Sequence, residues 1–184
     1  SKIIIMTKYQ ELEKAAVETA QKIANFQNEL REFTSAIVKG LIDYLGVPDE
    51  NIAFYSPSEG RDIQYYLMSA IEFKDSRTQQ LGIVLNVQSY IFYYDLEIRR
   101  EEGNYIVRHI DKDMEFKVPY RNGEYDREAL KAYYDYIYST AQETFLNMFE
   151  LLDQHKKAKN PIGFIKEKDK EKEPKRCRNG KKSK

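Results

Sequence analysis

The chain has 184 residues, 41% hydrophobic and 33% charged, with a formal net charge of zero, which suits one globular domain with a real core and excludes a collagen-like or fully disordered chain. No apolar run approaches the 18 residues of a spanning helix, and Ile3–Met6 is too short for a signal-peptide core. The single cysteine, Cys177, excludes a disulfide framework and favours a reducing, cytoplasmic setting.

The zero net charge hides an asymmetry. From Lys156 onward there are 13 Lys/Arg against 4 Asp/Glu, and residues 1–155 carry 17 basic against 26 acidic residues, so an acidic body of −9 precedes a basic tail of +9. Charge segregated in this way bears on partners rather than on fold.

Residues 1–6 are expected to be a disordered start, or the first five to be left over from cloning with Met6 as the natural start. Thr7 and Gln10 then form a capping-box pattern, each side chain able to bond the other's backbone N–H. Apolar residues follow at Leu12, Ala16, Thr19, Ile23, Phe26, Leu30, Phe33, Ile37, Leu41 and Tyr44. These spacings predict one amphipathic helix from Thr7 to Leu45, with a heptad seam over Ile23–Ile37 and a stop at Gly46 and Pro48. A helix of that length exceeds what a compact domain needs, so one end is expected to protrude or to pair with a second copy as a homodimer.

Ile52–Tyr55 reads as a short strand and Ser56–Gly60 as a turn. Alternation over Ile63–Lys74 predicts a second strand facing the core through Ile63, Tyr65, Leu67, Ser69, Ile71 and Phe73. Leu81, Ile83, Leu85 and Val87 form the next inward face. Phe92, Tyr94, Leu96 and Ile98 form another, with Tyr93, Asp95 and Glu97 pointing out. Glu101–Asn104 and Asp111–Asp113 read as tight turns, and Pro119 and Asn122-Gly123 as the end of the sheet. Asp126 is an N-cap for a helix carrying Leu130, Tyr134, Ile137, Ala141, Phe145, Met148 and Leu152. The expected architecture is therefore α+β: a long N-terminal helix, a four- to five-stranded antiparallel meander, and a C-terminal helix on the same sheet face. Residues 7–155 form the single domain, and 156–184 a disordered, flexible basic tail in which Pro161–Ile165, with Phe164, is an apolar island suited to docking.

Few residues carry a chemical signature. Asp62 followed by Glu72-Phe73-Lys74 resembles the active-site spacing of PD-(D/E)xK nucleases, in which acids hold a divalent metal and the lysine positions water; the plainer reading is a charged solvent face. The resemblance spans four positions, and it departs from the family in placing Asp62 on the same strand as the pair. His109, Asp111, Asp113 and Glu115 alternate as metal ligands do, yet a polar turn without glycine explains them. With 8 glycines in the chain and no Gly-rich motif, no cofactor and no resident metal are expected. The tyrosine clusters at Tyr90, Tyr93, Tyr94 and at Tyr133–Tyr138 read as a core edge or a protein-binding surface. The leading expectation is a non-enzymatic protein-interaction module of inhibitor, immunity or adaptor type. It would hold a basic protein partner through Tyr93, Asp95, Glu97 and Phe164. A nucleic-acid-associated protein binding through Lys175, Arg176, Arg178, Lys181 and Lys182 is the alternative, and a metal-dependent nuclease the third.

Overall fold

The computed structural model describes residues 7–157 and shows an α+β protein with a long N-terminal helix, a curled antiparallel sheet and a C-terminal helix. Two compact units are present, Ser1–Glu143 and Thr144–Lys184. Residues 158–184, including Phe164 and the cationic residues Lys175, Arg176, Arg178, Lys181 and Lys182, lie outside the described residues, as do residues 1–6.

Helix α1 spans Lys8–Leu45 and is about 57 Å long. Both bonds of the capping box are made: the Thr7 N–H donates to Gln10 Oε1 at 2.9 Å and the Gln10 N–H to Thr7 Oγ1 at 3.3 Å. At the other end Gly46 takes the left-handed conformation, φ 63°, that ends a helix at little cost without a side chain. Leu30, Phe33, Thr34, Ile37, Val38 and Leu41 are buried, whereas every residue from Thr7 to Asn25 is exposed.

Strands β1 (Ile52–Tyr55), β2 (Glu72–Phe73), β3 (Thr78–Val87), β4 (Tyr90–Glu101), β5 (Asn104–His109), β6 (Met114–Arg121) and β7 (Glu124–Tyr125) make one seven-stranded sheet, entirely antiparallel, rather than the expected four or five strands. Of the inward faces read from alternation, Leu81, Ile83, Leu85, Tyr94, Leu96 and Ile98 are buried and Val87 and Phe92 half-buried, and Tyr105, Val107 and Val118 of the following strands join them in the core. Asn122-Gly123 does not end the sheet. With φ of 53° and 82° these two residues form the tight hairpin that adds β7.

The expected strand over Ile63–Lys74 is corrected. Within it only Glu72 and Phe73 form a strand, pairing with Gln80 and Gln79, and Tyr65 makes a single isolated bridge to Phe54. Leu67–Ala70 is instead a short helix, α2. The reason lies in the edge of β3. Ile52–Tyr55 already covers that edge from Leu85 to Gly82, and β2 pairs beyond it, at Gln80 and Gln79. Strands β1 and β2 are thus collinear parts of one edge, interrupted by a loop of 16 residues, Ser56–Ile71.

Helix α3 spans Arg127–Lys157, and Asp126 caps it by accepting the Ala129 N–H at 2.8 Å. Within the first unit, Tyr133, Tyr134 and Ile137 join the same core cluster as Leu30, Phe33 and Ile37 of α1 and the inward sheet residues. Gly40 of α1 lets α3 approach closely, because the Tyr134 hydroxyl occupies the place a Cβ would fill. In the second unit the helix continues from Thr144 and exposes Leu146, Phe149 and Leu151.

Candidate functional site

The interrupted edge strand makes the most elaborate part of the first unit. Its loop, Ser56–Ile71, leaves and re-enters the sheet beside the same strand, so its ends are close, as in compact functional loops. Glu72 ties the neck. Its carboxylate accepts from the Ser56 and Ser58 hydroxyls and from the Ser58 N–H, the last at 3.1 Å. Inside the loop Tyr65 donates its hydroxyl to Glu59 at 2.6 Å and its N–H to the Phe54 carbonyl at 2.7 Å.

Arg61 anchors the loop to the outer face of the sheet. It donates to Asp95 at 2.7 Å, reaches Asp111 at 3.5 Å, and lies over the Tyr93 ring at 4.7 Å. Asp95 also accepts the Tyr55 hydroxyl. Burial, then this bond to a carboxylate, raise the Tyr55 pKa, so the phenol stays a donor at any physiological pH. Gly82 stands directly beneath the Tyr55 ring, whose carbons fill the position of a Cβ. The Arg61 guanidinium is held above its ordinary pKa chiefly by Asp95.

Further along β4 the charges are also engaged. Glu97 receives Lys74 at 3.1 Å and approaches Arg108 at 4.0 Å; its side chain is 11% exposed, and that of Asp95 14%. Arg99 holds Glu101 at 2.7 Å and Glu115 at 2.9 Å, and Arg108 holds Asp113 at 2.7 Å. The sheet face that sequence marks as acidic is therefore a lattice of internal ion pairs, mostly shielded at Asp95 and Glu97.

Of the nuclease-like residues, Glu72 closes the loop neck, Lys74 pairs with Glu97, and Asp62 is exposed in the loop. Among the described residues no group of three His, Cys, Asp or Glu is placed to hold a metal ion. His109 points into the core, 3% exposed, with Tyr94, Phe116, Tyr133 and Tyr136 around it. Burial lowers its pKa to about 4, with a smaller contribution from Lys112.

What the loop leaves open is a groove of about 700 Å³ between itself, β1 and the end of α1, lined by Ile42, Ile52, Phe54, Tyr65, Leu67 and the carboxylate-bearing Asp49. Tyr66, at 89% exposed, also lines it, and Ile63 and Met68 are exposed nearby in the loop. Sequence reading missed this groove, because it took Ile63–Ile71, the second part of the loop, for a strand. The signal that could have found it was Ser56-Pro57-Ser58-Glu59-Gly60 followed by a dense cluster of apolar and aromatic residues.

The arrangement defines an α+β protein with a pinned loop beside an open groove. Comparison with family models, curated proteins and solved structures gives no match. Among the described residues no helix is long and apolar enough to cross a membrane.

Proposed function

We propose that this chain is a non-enzymatic, intracellular protein-interaction module, of inhibitor, immunity or adaptor type, that binds a basic partner segment. The observation that carries the reading is the groove under the pinned loop: apolar walls, an 89% exposed tyrosine, and Asp49 as its charged lining residue. Large exposed apolar groups rimmed by polar ones mark interaction surfaces, and tyrosine offers contact area at low entropic cost. The −9 charge of residues 1–155 favours a partner segment carrying Lys or Arg beside apolar anchors. Tyr93, Asp95 and Glu97 support this site indirectly, by fixing Arg61 and Lys74 on the face behind the loop.

The test is selection of segments from a random peptide display library on the full chain. Enriched segments should carry Lys or Arg next to aliphatic or aromatic residues. Their binding should fall at least about tenfold in Asp49→Lys and in Tyr66→Ala, roughly 1.4 kcal/mol each. Enrichment without basic character, or binding that ignores both substitutions, would retire the reading.

A second reading rests on the +9 charge of residues 156–184: association with nucleic acid through Lys175, Arg176, Arg178, Lys181 and Lys182. Truncation after Gln154 should then abolish a low-salt gel shift. A nuclease using Asp62, Glu72 and Lys74 gains no support, since Glu72 and Lys74 are bound to other partners.

A further inference from the structure

The first half of α1 is a bare helical arm. All of its residues from Lys8 to Asn25 are exposed, and Tyr9, Leu12 and Ile23 are 68%, 69% and 40% exposed. Its outer face satisfies itself: Lys14 pairs with Glu18 at 3.9 Å, and the Gln21 amide donates to Asn25 at 2.9 Å. Among the described residues nothing covers the seam from Tyr9 to Ile23, and Phe26, half-buried, sits at the edge of the core. Its one aliphatic hydroxyl, on Thr19, donates to the Ala15 carbonyl at 2.8 Å and so asks nothing of a partner.

The seam is a palindrome. About the midpoint between Val17 and Glu18 it reads aromatic, aliphatic, small, then small, aliphatic, aromatic: Tyr9, Leu12, Ala16, Thr19, Ile23, Phe26. The spacing keeps the three-four alternation of a coiled-coil seam throughout. An isologous interface with two-fold symmetry requires a surface complementary to its own reverse, and a palindromic seam supplies one when two helices run antiparallel. Tyr9 then meets Phe26 of the second copy, Leu12 meets Ile23, and Ala16 meets Thr19. Small residues at the centre let the backbones approach, and large ones close the ends. Lys8 comes within reach of Glu29 of the second copy, which in its own chain already holds Arg100.

The fold selects this orientation. Beyond Phe26 the same stripe continues as Leu30, Phe33 and Ile37, all at most 1% exposed and packed in the core with the sheet. A parallel partner would have to run where that sheet already lies. In the antiparallel register the partner's helix ends, at its Thr7 cap, level with Asn28, just before the buried stretch begins.

We infer that two copies of this chain pair through antiparallel α1 arms in the register Tyr9–Phe26, Leu12–Ile23, Ala16–Thr19. This rests on the reading of the protein as a contact module, but uses a surface separate from the groove. The experiment combines mass measurement by light scattering with cross-linking. The full chain should weigh twice its 21.8 kDa at tens of micromolar, and Leu12→Asp should reduce it to one chain without changing the thermal melt of the folded unit. In a Cys177→Ser background, Ala16→Cys mixed with ¹⁵N-labelled Thr19→Cys should form the mixed disulfide in excess of either self-pair. A single-chain mass at every concentration, a dimer that survives Leu12→Asp, or preferential cross-linking of Ala16→Cys to itself would overturn the inference. A single-chain mass with the arm protected from amide exchange would instead place a segment of the same chain on the seam, and would equally overturn it. Peptide capture at the groove is read separately through Asp49→Lys and Tyr66→Ala, so loss of the dimer and loss of the partner site are distinguishable.

Discussion

At the residue scale, His109 shows what a sheet can do to a titratable group. Its position on β5 aims it inward among aromatic rings, and burial lowers its pKa from 6.5 to about 4. The unfolded chain therefore takes up a proton first as pH falls. The stability tied to neutral His109 is complete above pH 6.5 and is lost as pH drops through the interval down to about 4. The total is at most about 3.5 kcal/mol, since each tenfold change in proton affinity is worth roughly 1.4 kcal/mol. Urea melts of the protein and of His109→Phe at pH 7 and pH 5 should show the smaller pH effect in the variant. Gly82 makes a second point at this scale. Its missing side chain is where the Tyr55 ring lies, and β3 cannot move away without breaking its pairing on both sides. Gly82→Ala should cost about 1–3 kcal/mol of stability, as overpacking usually does, measured by denaturant unfolding. Neither residue advertises its role in sequence, since both depend on what stands opposite them.

At the element scale, α1 was legible to the residue. Its cap, stripe and stop are local signals, and each forms as the residues require. Thr7→Ala should fray the arm at a cost of about 1 kcal/mol, seen as faster amide exchange over the first turns, while the global melt stays unchanged because the arm contributes nothing to the core. The loop Ser56–Ile71 was legible only in its opening turn, Ser56–Gly60, and not from Ile63 onward. The alternation of apolar and polar residues over Ile63–Ile71 is strand-like, but whether such a segment pairs depends on a free edge beside it, and β1 had already taken Gly82–Leu85 of β3. Glu72→Ala should release the neck by removing the acceptor of Ser56 and Ser58, and limited proteolysis should then cut within residues 57–71 faster than in the native chain. The turn at Gln88-Ser89 escaped notice for another reason: it reverses the chain without Gly, Pro or Asn, with Gln88 at φ 59°.

At the scale of the whole molecule, charge reads differently once the chain folds. The acids on β4 look from sequence like an open negative surface. In the structure Asp95 and Glu97 sit against Arg61, Lys74 and Arg108, so the surface left for a basic segment moves to the groove and Asp49. For the same reason, the salt dependence of partner binding should be modest and should follow Asp49 rather than Asp95. Titrating selected segments at about 50 and 300 mM salt, for the native chain and Asp49→Lys, checks this.

Sequence alone determined the α+β class, the long capped helix, the inward faces of β3 and β4, the hairpin at Glu101–Asn104 and the cap of α3. Each of these rests on periodicity or on a bond between near neighbours, which a short stretch of chain encodes in full. Tertiary structure alone decided the seven strands, the extruded loop, the neutralised outer face and the burial of His109. Each of those depends on which distant segment reaches a given edge or face first, and no local pattern records that competition.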